Sequence, residues 1–222
     1  MQTPAHDSYN SDILSLMHSD FETIVEVGCS RGTLAKAYRS LHSCDKYIGI
    51  EIDIDSAMLA RRHCDLVMNC DVEKLDALAW ESLFPSELWI FGDSLEHLVD
   101  PWTLLSRLRT SLRPGCRVIA CIPNAQHWSV QARLATGLFV YEQSGLLDRS
   151  HLRWFTRKTI CSLFQNAGFS IVGMSSRIFD EPQKDSFLPF LAVIADIAGQ
   201  DPDEAVTDAI PLQYVVDAVV PH

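Results

Sequence analysis

Glu26-Val-Gly-Cys-Ser-Arg-Gly32 sets Gly28 and Gly32 in a short turn between a β-branched run, Thr23 to Val27, and a helical stretch from Thr33 to Leu41. A glycine-bearing turn at this place lets backbone approach a ligand closely and aims the N–H groups of a helix start at it. A nucleotide-like cofactor suits that geometry; a plain tight turn is the alternative. The dinucleotide fingerprint G-x-G-x-x-G requires glycine at position 30, where a pyrophosphate must pass, and Ser30 stands there. Glu51, beside Ile52, closes the next β-branched run 23 residues after Gly28, where a carboxylate can accept hydrogen bonds from both hydroxyls of a ribose. Asp71 follows a third apolar run in Asn69-Cys-Asp-Val-Glu73. Its carboxylate can take an adenine amino proton while Val72 N–H pairs with the ring, or it can cap a helix.

These groups need elements to hold them. Strands are expected at Thr23 to Gly28, Tyr47 to Ile52, Leu66 to Met68, Leu88 to Phe91 and Arg117 to Ile122. Helical patterns at Thr33 to Leu41, Ser56 to Arg62 and Pro101 to Leu112 separate most of them. Parallel neighbours need crossover connections, so this alternation predicts a mostly parallel α/β sheet covered on both faces. Asp100-Pro101 reads as an N-cap followed by proline at the first helical position, and Arg113-Pro-Gly115 breaks that helix. Thr156 is expected to cap a helix from Arg157 to Ala167, stopped at Gly168 before Phe169-Ser-Ile-Val172. Between Pro123 and Phe155 the pattern weakens to a short helix, Ser129 to Ala135, and a polar stretch, so 124–156 is expected to be a lid or substrate segment. Helices at Asp185 to Ala198 and Asp203 to Ala209 and a last strand at Leu212 to Val219 complete the chain.

The 222 residues, 47% hydrophobic and 21% charged, suit one globular domain over 1–222. The most apolar helical run, Leu188 to Gly199, is too short for a membrane span and carries Asp196. The opening MQTPAHDSYNSD lacks the basic start and apolar run of a secretory signal, and a cytoplasmic protein is expected. Seven cysteines without any C-x-x-C pair read as buried thiols in a reducing compartment. Of the net charge of -11, residues 179–222 carry -8, from nine acids against Lys184 alone. That balance argues against nucleic acid as a partner, since its binding relies on dense Lys and Arg.

The same residues resemble the class I S-adenosylmethionine-dependent methyltransferases over almost the whole chain. Glu26 to Gly32 is similar to their first motif, Gly49-Ile-Glu51 to the second, Cys70-Asp71-Val72 to the third and Ile90-Phe-Gly-Asp-Ser-Leu-Glu-His-Leu98 to the fourth. Leu112-Arg-Pro-Gly115 is similar to the turn into their fifth strand. Asp93 to Asp100, Ile122 to Trp128 and Gly145 to Thr156 resemble a bacterial subgroup associated with glycan or natural-product biosynthesis. The resemblance implies a Rossmann-like doubly wound sheet of seven mostly parallel strands with an antiparallel last strand, and S-adenosylmethionine as cofactor. It implies that Glu26, Gly28, Ser30, Gly32, Glu51, Ile52, Asp71, Val72, Asp93 and Ser94 hold that cofactor. Ser30 departs from the glycine usual in the first motif, and Cys116 from a Pro-Gly-Gly turn.

Methyl transfer to a hydroxyl needs a base, and His97 and His151 are the candidates, with Asp148, three residues before His151, as its orienting partner. Each has a plainer alternative: His97 packs or caps, and His151 anchors a loop tied by Asp148, Arg149 and Arg153. His127 and Trp128 are expected to face the substrate, Trp128 stacking on a sugar or packing in the core. Arg149, Arg153, Arg157 and Lys158 either grip a phosphate or carboxylate on the acceptor or neutralise the acidic tail. Tyr9 and Asn10 are expected to form a flap over the cofactor. No zinc-spaced cysteine or histidine cluster occurs, and no metal is expected. The expected activity is O-methylation of a small or carrier-linked sugar or natural-product acceptor, with a homodimer as a further partner call. A silent cofactor-binding module, N- or C-methylation and a nicotinamide-dependent oxidoreductase are the alternatives.

Overall fold

The computed structural model describes residues 8–18 and 21–222. Its centre is a seven-stranded sheet. The strands are β1 (Thr23–Val27), β2 (Lys46–Glu51), β3 (Leu66–Asn69), β4 (Leu88–Gly92), β5 (Arg117–Pro123), β6 (Ser170–Arg177) and β7 (Gln213–Val219). They lie in the order β3-β2-β1-β4-β5-β7-β6, with β7 antiparallel to both neighbours and the other pairings parallel. This is the doubly wound sheet with an antiparallel last strand that the resemblance implies.

Alternation along the strands divides the core. Val25, Val27, Trp89 and Phe91 turn to one face, where Trp80, Leu105, Leu108, Ile160 and Phe164 cover them. Those covering side chains come from α4 (Ala77–Glu81), α5 (Pro101–Ser111) and α7 (Arg157–Asn166). Ile24, Leu88 and Ile90 turn to the other face, under α1 (Ser11–Leu16), α2 (Thr33–Leu41) and α3 (Ile54–Ala60). Side chains of period two on a strand meeting side chains of period 3.6 on a helix produce this three-layer packing.

The helix starts follow the capping chemistry. Asp100 accepts from Thr103 N–H with Pro101 at the first position, and Thr156 and Thr159 form a reciprocal capping box on α7. Two helices lie outside the expected elements. In α1, Asn10 accepts from the N–H groups of Asp12 and Ile13, and the buried Ile13 and Met17 pack on the sheet. In α4, Asp76 caps five residues whose one buried side chain is Trp80. Both are too short for helical periodicity to stand out. The weak segment 124–156 holds α6 (Trp128–Ala135) and a largely irregular stretch after it. The tail folds back as α8 (Lys184–Ile197), α9 (Pro202–Asp208) and β7, which inserts between β5 and β6. Among the described residues, no helix is long and apolar enough to cross a membrane.

Candidate active site

Strand order reverses between β1 and β4, because β1 leads outward to β2 and β3 while β4 leads the other way to β5. The crevice outside the carboxyl ends at such a switch point is where open α/β sheets bind ligands. A cavity of about 1080 Å³ lies there.

One half of the cavity is built by the first three strand ends. Gly28 (φ +74°) accommodates a backbone conformation that a side chain disfavours, and a Cβ on it would meet Ser94 Cβ at 3.2 Å. Ser30 (φ +47°) and Asp93 (φ +53°) hold the same left-handed conformation without being glycine. Glu51 joins the turns after β1 and β2: one carboxylate oxygen accepts from Ser30 N–H at 2.8 Å and the other from Asp53 N–H at 2.9 Å. Each oxygen retains a second acceptor position, so the carboxylate can still take ribose hydroxyls. Asp71 caps the 3-10 turn Val72–Lys74, accepting from Glu73 N–H at 3.0 Å, and pairs with Lys74. Asp71, Val72 and the exposed Ile52 all line the cavity. The hydroxyls of Ser30 and Ser94 are buried with no hydrogen-bond partner, as is Asn10 Nδ2 from the N-terminal side. Orphaned donors around a glycine cradle fit a polar, nucleoside-bearing cofactor.

Glu26 lies at the foot of this half. Its Oε2 accepts from the buried Tyr47 hydroxyl at 2.8 Å. Burial pushes its carboxyl up to about 8; the Tyr47 bond opposes this and the Glu51 charge adds to it.

The other half is built by the segment after β4 and by the loop before α7. Glu96 and His97 sit on the 3-10 turn Leu95–His97. The loop is fastened to that turn: Leu152 and Arg153 N–H donate to Glu96 carbonyl oxygen at 2.8 and 2.9 Å, and His97 Nδ1 lies 3.1 Å from Ser150 carbonyl oxygen. The rings of His97 and His151 therefore meet edge to face, with centroids 4.8 Å apart. Burial holds both imidazoles below their usual range. The His97 charge lowers His151 further, while Asp148 opposes the shift in both. Burial, followed by the charge of Asp93, pushes Glu96 well above the carboxylate range. Asp148, itself buried, accepts from Ser150 N–H at 2.8 Å and Ser150 hydroxyl at 2.6 Å, so it shapes the loop and acts on the imidazoles through its charge.

Several expected site residues lie elsewhere. Gly32 starts α2 and packs against α3, where a Cβ would stand 3.1 Å from Ala60 Cα. His127 and Trp128 are outside the cavity's lining and converge on Glu181, at 3.2 and 2.8 Å, pinning the segment that leads into α8. Arg153 also stands outside, where its guanidinium donates to Val99 carbonyl oxygen and lies over the Trp102 ring, fastening the loop. Arg157 pairs with Asp208 and Glu204, and Lys158 with Glu204, so these two neutralise the tail. Arg149 does line the cavity, as do Tyr9 and Asn10. Sequence reasoning passed over Glu96, although it directly precedes His97, and Gln213, whose amide donates to Asp93. Gln213 reaches the site only because β7 inserts beside β5.

The methyltransferase-domain family model matches residues 7–173. No curated protein sequence matches the chain. Among solved structures, a SAM-dependent methyltransferase from Archaeoglobus fulgidus superposes with a TM-score of 0.61 at 14% identity, over 90% of this chain and 87% of that one. Magnesium protoporphyrin IX methyltransferase from Synechocystis PCC 6803, with S-adenosylhomocysteine bound, gives 0.61 at 12% identity over 94% and 80%. A Haloferax volcanii chain in complex with the methyltransferase activator Trm112 gives 0.61 at 16% identity over 96% and 88%. With the motif turns assembled at the switch point of a matching fold, the chain belongs to the methyltransferase-domain family and is an S-adenosylmethionine-dependent enzyme.

Proposed function

We propose that the enzyme methylates an oxygen atom of a small or carrier-linked acceptor of the sugar or natural-product kind. The observation that carries this reading is the pair of imidazoles, His97 and His151, closing the far end of the cavity that holds the cofactor motifs. S-adenosylmethionine, when bound, supplies an electrophilic methyl group on a sulfonium. Glu51 would hold its ribose, Asp71, Val72 and Ile52 its adenine, and Glu26, Gly28, Ser30, Asp93 and Ser94 its methionine end.

Displacement at a methyl carbon is in line, so the remaining work is to place the acceptor atom about 3 Å away and to handle its proton. A neutral amine needs little help with that proton, whereas a hydroxyl needs a base or a Lewis acid. Imidazoles held neutral by burial offer lone pairs for that purpose. His151 is the group assigned to the acceptor's hydroxyl, with Asp148 and Ser150 setting the loop that presents it. The lone pair can serve by taking the proton directly or by holding a cation. Arg149, exposed at the cavity wall, suits a phosphate or carboxylate on a carrier-linked acceptor. Segment 124–156 is thereby the acceptor side of the enzyme.

The test is transfer of labelled methyl from S-adenosylmethionine to panels of hydroxyl and amine acceptors, followed by identification of the methylated atom. Oxygen-methylated product is expected; transfer confined to nitrogen or carbon would sink the reading. His151→Ala should lower turnover roughly 10²-fold or more and spare S-adenosylhomocysteine affinity. Normal turnover in the folded variant would leave His151 as a loop anchor.

A further inference from the structure

Glu96 is 1% exposed, and neither of its carboxylate oxygens has a hydrogen-bond partner. A buried carboxylate left in that condition is costly, and in native proteins such groups usually face an ion, a water or a ligand. An imidazole stands close by: His151 Nε2 lies 4.0 Å from Glu96 Oε1. One ligand atom from each of Glu96, His97 and His151 falls within 4.8 Å of the other two. Nitrogen and oxygen ligands about 2.0–2.2 Å from a shared cation stand roughly 3–3.5 Å from one another. With every pair already within 4.8 Å, the cluster reaches that spacing by side-chain movements of little more than about an ångström.

We infer that Glu96, His97 and His151 form a binding site for one divalent transition-metal cation, zinc or a metal of similar size and ligand preference. The surroundings orient the ligands as metal sites do. A ring nitrogen of a ligating histidine is normally fixed by a backbone carbonyl or a carboxylate, which leaves the other nitrogen for the metal. His97 Nδ1 meets Ser150 carbonyl oxygen at 3.1 Å, which leaves Nε2. The backbone bonds from Leu152 and Arg153 to Glu96 hold the loop and the turn together without the cation. Asp93 and Asp148 act on Glu96 as further negative charges, which favours a cation over a neutral occupant.

Two histidines and one carboxylate leave a coordination position open, the arrangement of catalytic rather than structural zinc. Glu96, His97 and His151 all line the cavity that the cofactor motifs share, so an open position there would suit an oxygen of the acceptor. A cation there would lower the hydroxyl's pKa. The acceptor's O–H proton passes to solvent, the oxygen–methyl bond forms as the methyl–sulfur bond breaks, and the sulfonium leaves as a neutral thioether. This role rests on the oxygen-methylation reading; the cation site itself does not.

The full chain, stripped with chelator and then dialysed, is titrated with Co²⁺ by visible absorption, with Zn²⁺ as competitor and S-adenosylhomocysteine titrated in parallel by calorimetry. One Co²⁺ per chain, displaced by Zn²⁺, is expected. Glu96→Gln and His151→Ala should each weaken cation affinity at least about 10-fold and leave S-adenosylhomocysteine affinity unchanged. No Co²⁺ uptake at millimolar metal by a wild-type chain that binds S-adenosylhomocysteine overturns the inference and leaves methyl transfer standing. Uptake unchanged in the folded variants also overturns it; if Glu96→Gln does not fold, His151→Ala decides alone. Uptake lost in the variants, in a chain that methylates only nitrogen, keeps the cation site and removes the oxygen reading.

Discussion

Glu26 shows how a single residue's surroundings set its chemistry. Next to water a glutamate ionises well below neutrality, but here burial raises its pKa from 4.5 to about 8, which favours the protonated carboxyl at pH 7. The folded state then binds a proton that the unfolded state releases. Stability is fully present below about pH 4.5 and is lost as pH rises through about 8, at up to about 1.4 kcal/mol per pH unit. Glu26→Gln keeps an oxygen for the Tyr47 hydroxyl and removes the titration. Its thermal midpoint, measured without cofactor from pH 5 to 8, is expected to fall less with pH than that of the wild type. Parallel curves would mean that Glu26 is ionised throughout. Residue type and spacing marked Glu51 as a candidate cofactor group, and the family resemblance marked Glu26; that Glu51 ties Ser30 to Asp53 through its two oxygens needed the folded turn.

Among elements, β2 is placed by what its glycine permits. Gly49 pairs with Glu26 across β1 and β2, and a Cβ there would stand 2.5 Å from Cys29 Sγ and 3.3 Å from Cys64 Sγ. The first motif turn and the turn after α3 can close on this strand only because position 49 has no side chain. Gly49→Ala should therefore destabilise by about 1–3 kcal/mol in denaturant unfolding, as overpacking of a close-packed interior does. Cys29→Ala in the same chain should recover part of that loss, and a double variant no more stable than Gly49→Ala would place the clash elsewhere. Strands with β-branched residues and helices with clear caps were legible before folding, because period and punctuation are local. The short α1 and α4 were not, since each is stabilised by packing one or two buried side chains rather than by a repeating face.

At the scale of the molecule, the acidic tail is held by the basic group that precedes it. Arg157 donates from Nε to Asp208 at 2.6 Å and from Nη2 to Glu204 at 2.6 Å, while the Asp208 side chain is 4% exposed. Removing the cation leaves a buried carboxylate uncompensated. Arg157→Met is expected to cost about 2–3 kcal/mol and to lower the thermal midpoint. An unchanged midpoint would mean that Lys158 and solvent suffice for Glu204 and Asp208. Asn124 adds a second tie, donating to the carbonyl oxygens of Asp208 and Pro211 at 2.7 and 2.8 Å, so segment 124–156 and the tail are joined where β7 begins.

The order and kind of the longer elements, the covered, mostly parallel sheet and the glycine turn with its following carboxylates were determined by the sequence itself. Each depends on periodicity, caps and residue types within a few positions of one another. The fate of Arg153, Arg157, His127 and Trp128 was decided only by tertiary structure, because two readings of the same side chains differ solely in which distant acid or carbonyl they meet. Glu96 was decided there too. Its partner His151 arrives from a separate loop, and no spacing in the chain records that backbone bonds from Leu152 and Arg153 bring the two together.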